Sequence, residues 1–429
     1  MDKSYHSVII GGGCLGASTA ISIAQNLNSS GKDVCIIEKG ILCGAESSKH
    51  SGIVRSANSS IKAAVLAEKT NDMWDHIGEI WGVNLKSNKT GAIWIARNNR
   101  KESTKSWNDL EVKLNKSGIG FARVEKDQLK SLTNNLIRID ENNEIYFYEP
   151  NARTIDPLDV RNVLYKAIEI NNIDLKESTL VTGFELNSNS KIKKIKTNKG
   201  NIVAENIINA AGGWSSHIFK DIGIKIPVTL QPVYVSNWLI SKKNKLPMDY
   251  PIIADYINLA YFRTWRDGEL HMHQPRDRSQ SSIARHFAKE AASMKRADIY
   301  FDASNFTSSY SETNRYSEMI HHRFPNCSPF IFNGGYISFF DITPDLKFIL
   351  GNDKDITNLY HCLGAGQAFK YAPMFGKILG ELVVKKKIKD KSFNIDEFSI
   401  KRFSNNKMKD FWNTVAGSKN TLTVKNIEK

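Results

Sequence analysis

The stretch that most restricts this chain is HSVIIGGGCLGASTAISIAQNLNSSGKDVCIIEKG, residues 6–40. A short apolar strand (Val8 to Ile10) runs into Gly11-x-Gly13-x-x-Gly16, an amphipathic helix predicted to end near Asn28 follows, and a second apolar strand (Val34 to Ile37) ends at Glu38. The spacing has a mechanism: Gly11 permits a tight turn, Gly13 lets a pyrophosphate approach the backbone, and Gly16 lets helix and strand pack closely. Glu38 stands 22 residues after Gly16, where an acid accepts hydrogen bonds from adenosine ribose hydroxyls and argues against a 2′-phosphate. Cys14 and Leu15 in the loop and Lys39 beside the acid join the same dinucleotide site. FAD and NAD both fit it.

The rest of the chain separates them. GAESSKHSGIVRSANSSIK (44–62) is rich in small hydroxyl residues, and Ser47, Ser48 and His50 suit a loop lying against phosphates and a ring. A nicotinamide enzyme would continue with regular strand–helix units, which this chain lacks. Instead NIINAAGGWSS (206–216) leads a further strand into a second small-residue turn, giving Ala211, Gly212 and Trp214 as cofactor candidates. A third turn, LGAGQAFKYAPMFGKILGEL (363–382), adds Gly364, Gly366, Gln367, Ala368, Phe369 and Lys370. Three such turns suit one extended ligand gripped along its length, which favours FAD.

Lys370 is electrostatically misplaced at the start of the helix that this third turn opens, because a helix N-terminus disfavours cations by roughly 0.3–1 kcal/mol. An anion explains it. Negative charge develops on the N1 and C2 carbonyl edge of a flavin that accepts a hydride, and a helix start aimed there stabilises it. A lysine adds to that stabilisation or grips a substrate carboxylate, and a carboxylate clamp wants an arginine as its second cation.

Composition limits the remaining classes. The chain has 429 residues, enough for two domains, with 41% hydrophobic and 24% charged residues, as in a folded soluble protein. No apolar run reaches the ~18 residues of a membrane span and no signal-peptide pattern opens the chain, so a cytoplasmic protein is expected. The net charge of +14 follows a Lys-rich sequence throughout. With no basic patch interleaved with aromatics, a nucleic-acid partner is disfavoured. The dense run KKKIKDK (385–391) is expected in the last turn of the third-turn helix. Five cysteines without a CxxC pair indicate reduced thiols. His271 and His273 lack a partner acid or cysteine at a fitting distance, so no metal is expected.

With these motifs the chain resembles the FAD-dependent D-amino-acid-oxidase-type superfamily, in particular the sarcosine oxidase branch and its β subunits. The glycine fingerprint, SSKHSGIVRSAN, LAEKTNDMWDHI, KTGAIWIAR, TIDPLDVRNVL, NAAGGWSS, YFRTWRDGEL, FFDITPDLKFILG and GAGQAFKYAPMFG occur in the family's order. The resemblance implies an α/β architecture: a Rossmann-like FAD-binding domain (1–88, 152–222 and 336–429) with an inserted α+β, mixed-sheet substrate domain (89–151 and 223–335). It implies that Val181 lies against the adenine, and that Arg55 and Lys370 bind a substrate carboxylate; Arg263, which alternates with Phe262 on its strand, ranks third, since strand arginines more often reach solvent. His271 falls near a lysine that activates oxygen in some relatives, which leaves the electron acceptor open. Ser338 stands about where monomeric sarcosine oxidases tether flavin through cysteine, so non-covalent FAD is expected. The third turn also lacks a histidine often found there.

The implied reaction is oxidation of the C–N bond of a small amino acid, N-methylated or with a secondary or tertiary amine. The alternatives are a 2-hydroxy acid or polyol-phosphate dehydrogenase, which would need His50 as base, and a flavoprotein subunit working with partner chains.

Overall fold

The computed structural model describes residues 3–27, 33–98, 101–240, 245–258, 260–265, 268–275 and 310–403. Its first sheet is built on strand Lys3–Ile10, whose buried Val8, Ile9 and Ile10 make it a central strand. It pairs in parallel with Val34–Ile37 on one side and Gly200–Asn209 on the other, and the latter pairs in parallel with Leu359–Leu363. Register decides what this sheet can do. Ile10 lies level with Ile37 and with Asn209, and Asn209 level with His361. The turns leaving these strands therefore emerge at one carboxyl edge, the place where open α/β sheets bind ligands.

Helix Cys14–Leu27 follows the glycine loop and packs against helix Ala368–Lys385. The contact is intimate because Gly376 and Gly380 face Ser18 and Ser22: a Cβ at either glycine would lie 2.3 or 2.2 Å from a serine Oγ. Two helices 350 residues apart in sequence are thereby held at backbone distance, which fixes the third turn beside the first. The second helix ends at Lys385, and Lys386, with φ +56°, turns the chain away. Only Lys385 of the basic run thus sits in the last helical turn; Lys386 instead points its Nζ at the Tyr360 hydroxyl, 3.2 Å away.

A second sheet orders its strands as Phe330–Ile342, Thr229–Ile240, Leu270–Pro275, Ala260–Thr264, Ile252–Asp255, Ala92–Arg97, Glu144–Glu149 and Ala122–Arg123. It is mixed: Ile252–Asp255 runs parallel to Ala92–Arg97, and the other pairs are antiparallel. One face packs Phe262, Met272 and Ile337 against Tyr316, Ile320 and Phe324 of the segment around helix Tyr310–Arg323. Alternation sends Tyr261, Arg263 and His271 to the opposite face. Strand Phe330–Ile342 stays paired with Thr229–Ile240 down to Ile342. The domain boundary expected at 335/336 falls inside this strand, whose last residues, Phe339 and Asp341, line the cleft. Between Ala260–Thr264 and Leu270–Pro275, the Trp265 N–H donates to Glu269 O at 2.7 Å and Gly268 has φ +79°; Asp267, expected in that turn, lies outside the described residues.

Candidate active site

A cleft opens at the carboxyl edge. At one end Glu38 closes strand Val34–Ile37, and its carboxylate accepts the Gly12 N–H and the Gly40 N–H, both at 2.8 Å. Lys39 lies over the Trp214 ring at 4.0 Å, and Val181 lines the wall beside them. Gly11, Gly13, Cys14 and Leu15 form one middle wall, and Ala211 and Gly212 face them. Glycine is required at Gly11, where φ is +106° and a Cβ would meet the Ala210 carbonyl oxygen at 2.5 Å. Gly16 does not line the cleft: its missing Cβ makes room for the Gly11 carbonyl oxygen, 2.0 Å from where the atom would be. The hydroxyl-rich loop is tied to the helix start by Ser47 Oγ, which accepts the Cys14 N–H at 3.0 Å. Ser48 turns its hydroxyl back to the Ala45 carbonyl and is no cleft residue.

Ala368 and Cys362 line the other end, together with two acids that sequence reasoning missed, Glu46 and Asp341. Asp341 braces the third turn: its two oxygens accept the N–H groups of Gly364 (3.0 Å) and Gly366 (2.7 Å). Gly364 and Gly366 therefore shape the turn without lining the cleft, and Gln367 precedes the helix without capping it. Burial raises the Asp341 carboxyl above its usual range, opposed by those two N–H groups. Glu46 accepts the Ser338 hydroxyl and the Phe339 N–H (2.6 Å) on one oxygen. Burial pushes it upward too, opposed by the same two donors and Lys49. The signals were faint: Asp341 sits in FFDITPD, and Glu46 directly precedes Ser47.

Next to this end the structure joins Arg55 and Lys370. Lys370 is only 6% exposed, and its Nζ lies 3.4 Å from the Arg55 carbonyl oxygen. The Arg55 guanidinium lies over the Trp94 ring at 4.8 Å and donates to the Tyr261 hydroxyl at 3.0 Å and the Ala57 carbonyl at 2.5 Å. Tyr256 meets the Tyr261 hydroxyl at 3.1 Å. Beneath them is Glu149, fully buried, whose carboxyl accepts the N–H groups of Ser56 (2.5 Å) and Ala57 (3.1 Å) and the Trp94 indole (3.0 Å). Burial works against the Arg55 cation, but Tyr261, Tyr256 and Glu149 outweigh it and hold the group above its ordinary range. Burial, then the Arg55 charge, push Lys370 well below its ordinary range against the pull of Glu149.

The other candidates take different places. The His50 ring packs tilted against Phe369 with centroids 4.0 Å apart, its Nε2 3.1 Å from the Ser47 carbonyl oxygen and its Nδ1 accepting the Gly52 N–H at 2.9 Å. Both nitrogens thus hold the loop, and a ring so engaged is a poor proton acceptor. Arg263 does not reach solvent as strand arginines commonly do: it is 4% exposed and lies over Trp265 at 4.1 Å. His271, 1% exposed, stacks on the same indole and directs Nδ1 to Asn237 Oδ1 at 2.7 Å. Among the described residues no three His, Cys, Asp or Glu side chains converge as metal ligands.

The cleft fits an FAD: its walls carry the glycine loop, the second small-residue turn, Glu38 after the second strand, and Ala368 two residues before Lys370. The Trp214 Nε1 at its wall is buried without a protein partner among the described residues. Known proteins agree. The chain is 26% identical to sarcosine oxidase subunit beta of Arthrobacter sp over 54% of its length and 56% of that protein's. It is 25% identical to the mitochondrial dimethylglycine dehydrogenase of Homo sapiens over 62% of its length and 30% of the other's. These matches thus span about half of one relative and under a third of the other. The crystal structure of L-proline dehydrogenase from P. horikoshii superposes with a TM-score of 0.77 at 20% identity, covering 94% of this chain and 99% of that one. The family model for the DAO FAD-dependent oxidoreductases matches residues 6–382, and the chain belongs to that family.

Proposed function

We propose that this chain oxidises the C–N bond of a small amino acid with a secondary or tertiary amine, of the N-methylglycine type, using non-covalently bound FAD. The observation that carries this is the pairing of Arg55 with Lys370, brought together across 315 residues in a buried aromatic chamber beside the cofactor cleft. Two cations and Tyr261 offer donors to one carboxylate. Their positive potential also disfavours a protonated amine, and an amine must be neutral before its carbon can lose hydride. When bound, FAD accepts that hydride; the protein orients the substrate, holds its carboxylate and excludes water. Two relatives are named for N-methylated glycines, which supports the same substrate class. The engaged nitrogens of His50 count against a hydroxy acid, whose proton would need a base.

The test is anaerobic bleaching of the yellow protein by a panel of N-methyl amino acids, primary amino acids and hydroxy acids, followed by air. N-methylglycines should bleach it fastest, and bleaching by hydroxy acids alone would refute the proposal. Recolouring rate distinguishes oxygen from another acceptor. Ser338 at the tethering position predicts a colourless pellet and a yellow supernatant on acid precipitation. A relative that is itself a subunit makes partner chains a reading to test by pull-down.

A further inference from the structure

The two acids that line the cleft beside strand Phe330–Ile342 are built differently. Asp341 has each oxygen matched by a backbone N–H. Glu46 receives both its donors, the Ser338 hydroxyl and the Phe339 N–H, on Oε2. Its Oε1 is cut off from solvent and has no hydrogen-bond partner among the described residues. Such an atom costs about 1–3 kcal/mol, more when charged. The charge is therefore compensated at Asp341 and half-compensated at Glu46, so the next negative charge placed in the cleft acts on Glu46 first.

We propose that Glu46 is a redox-linked proton site, ionised beside the oxidised flavin and protonated when the flavin is reduced. The inference rests on FAD occupying this cleft and not on which amine is oxidised. The charged and titratable groups around Glu46 are Lys49 on its own loop and, from strand Phe330–Ile342, Asp341 and Tyr336. Burial first, and Asp341 more weakly, favour the acid, while the Ser338 and Phe339 donors and then Lys49 favour the carboxylate, so groups of both signs bear on it. In turnover the substrate C–H bond gives the ring two electrons and one proton as hydride. The amine is already neutral when it loses hydride; as negative charge arrives in the cleft Glu46 takes one proton from solvent, and it returns that proton when the charge leaves. Protons and electrons balance without another reactant.

The readout is the midpoint potential of the bound flavin against pH, measured by dithionite titration with no amino acid present. For a two-electron couple each proton taken up contributes about 30 mV per pH unit. The wild-type protein should show twice the one-proton slope over the window between the two ionisations of Glu46. Glu46→Gln keeps an oxygen for the Phe339 N–H but cannot titrate, and should hold the one-proton slope throughout. A wild-type slope of one proton at every pH overturns the proposal, and so does a steeper slope that survives Glu46→Gln, since another group then carries the proton. A chain that takes up no FAD overturns this and the flavin reading together, and shows it before any potential is measured. Failure of the substrate panel alone leaves the slope as the deciding result.

Discussion

The glycine-walled cleft and the cluster around Arg55 and Lys370, proposed above as the substrate chamber, are made of different material. The cleft is walled by backbone and small residues at the ends of parallel strands, and its fit depends on atoms that are absent, as at Gly11, Gly16, Gly376 and Gly380. The chamber is made of large side chains, Arg55, Lys370, Glu149, Trp94 and Tyr261, drawn from five separated segments. Its order depends on charges that perturb one another. Damage to the first should therefore be steric and abolish folding or cofactor binding. Damage to the second should be electrostatic and spare both.

The largest effect is expected from Gly16→Val. A Cβ there lies 2.0 Å from the Gly11 carbonyl, and backbone cannot yield as a side-chain tip can. Overpacking of at least about 1–3 kcal/mol should lower the melting temperature by several degrees and strip the flavin. Normal melting and full flavin content would break the comparison on the cleft side.

Next come Arg55→Met and Lys370→Met. Each removes a charged contact of about 1.5–3 kcal/mol, so the half-saturating substrate concentration should rise roughly ten- to 150-fold with FAD retained. Lys370→Met should also lower the flavin potential and slow bleaching at saturation, because the charge it removes adds to the positive potential of the helix start. Stopped-flow reduction over a concentration series separates the two, and unchanged saturation in both would move the clamp to Arg263.

A smaller signature lies in pH. The charge on Lys370 is disfavoured in the free chamber, so its protonated form is present only below a lowered pKa. A substrate carboxylate would raise that value again. The half-saturating concentration should thus be flat at low pH and climb once pH passes the free-state value. Lys370→Met should abolish the climb, and a climb persisting in the mutant would assign it to the substrate amine.

The mildest change is Glu38→Gln. It keeps one acceptor for Gly12 or Gly40 and loses the charge, for about 1 kcal/mol and a roughly fivefold weaker FAD affinity, measured by fluorescence titration of the apoprotein.

Much of the cleft was legible in the sequence because its constraints are local. The Gly11-x-Gly13-x-x-Gly16 spacing, strand Val34–Ile37 and Glu38 carry their own geometry, and the two later small-residue turns announce themselves as breaks after apolar strands. The family resemblance then singled out Arg55 and Lys370, while the residues alone gave only an unexplained lysine at a helix start. Glu149, Glu46 and Asp341 were not legible. An acid in a strand, like Glu149 and Asp341, or in a polar loop, like Glu46, reads as solvent-facing until the packing shows which donors surround it. His50 read as a base for the same reason, since its nitrogens are claimed by backbone atoms that no residue pattern reveals.

By itself, then, the sequence determined that three strands end in small-residue turns and that an acid follows the second strand, since steric permission at a glycine is a property of one position. Only the tertiary structure decided that those turns share one edge, through parallel register and through helices brought to contact at Gly376 and Gly380. It alone moves the proton affinity of Lys370 down and that of Glu46 up, because the energy of a buried charge belongs to everything around it and not to the residue that bears it.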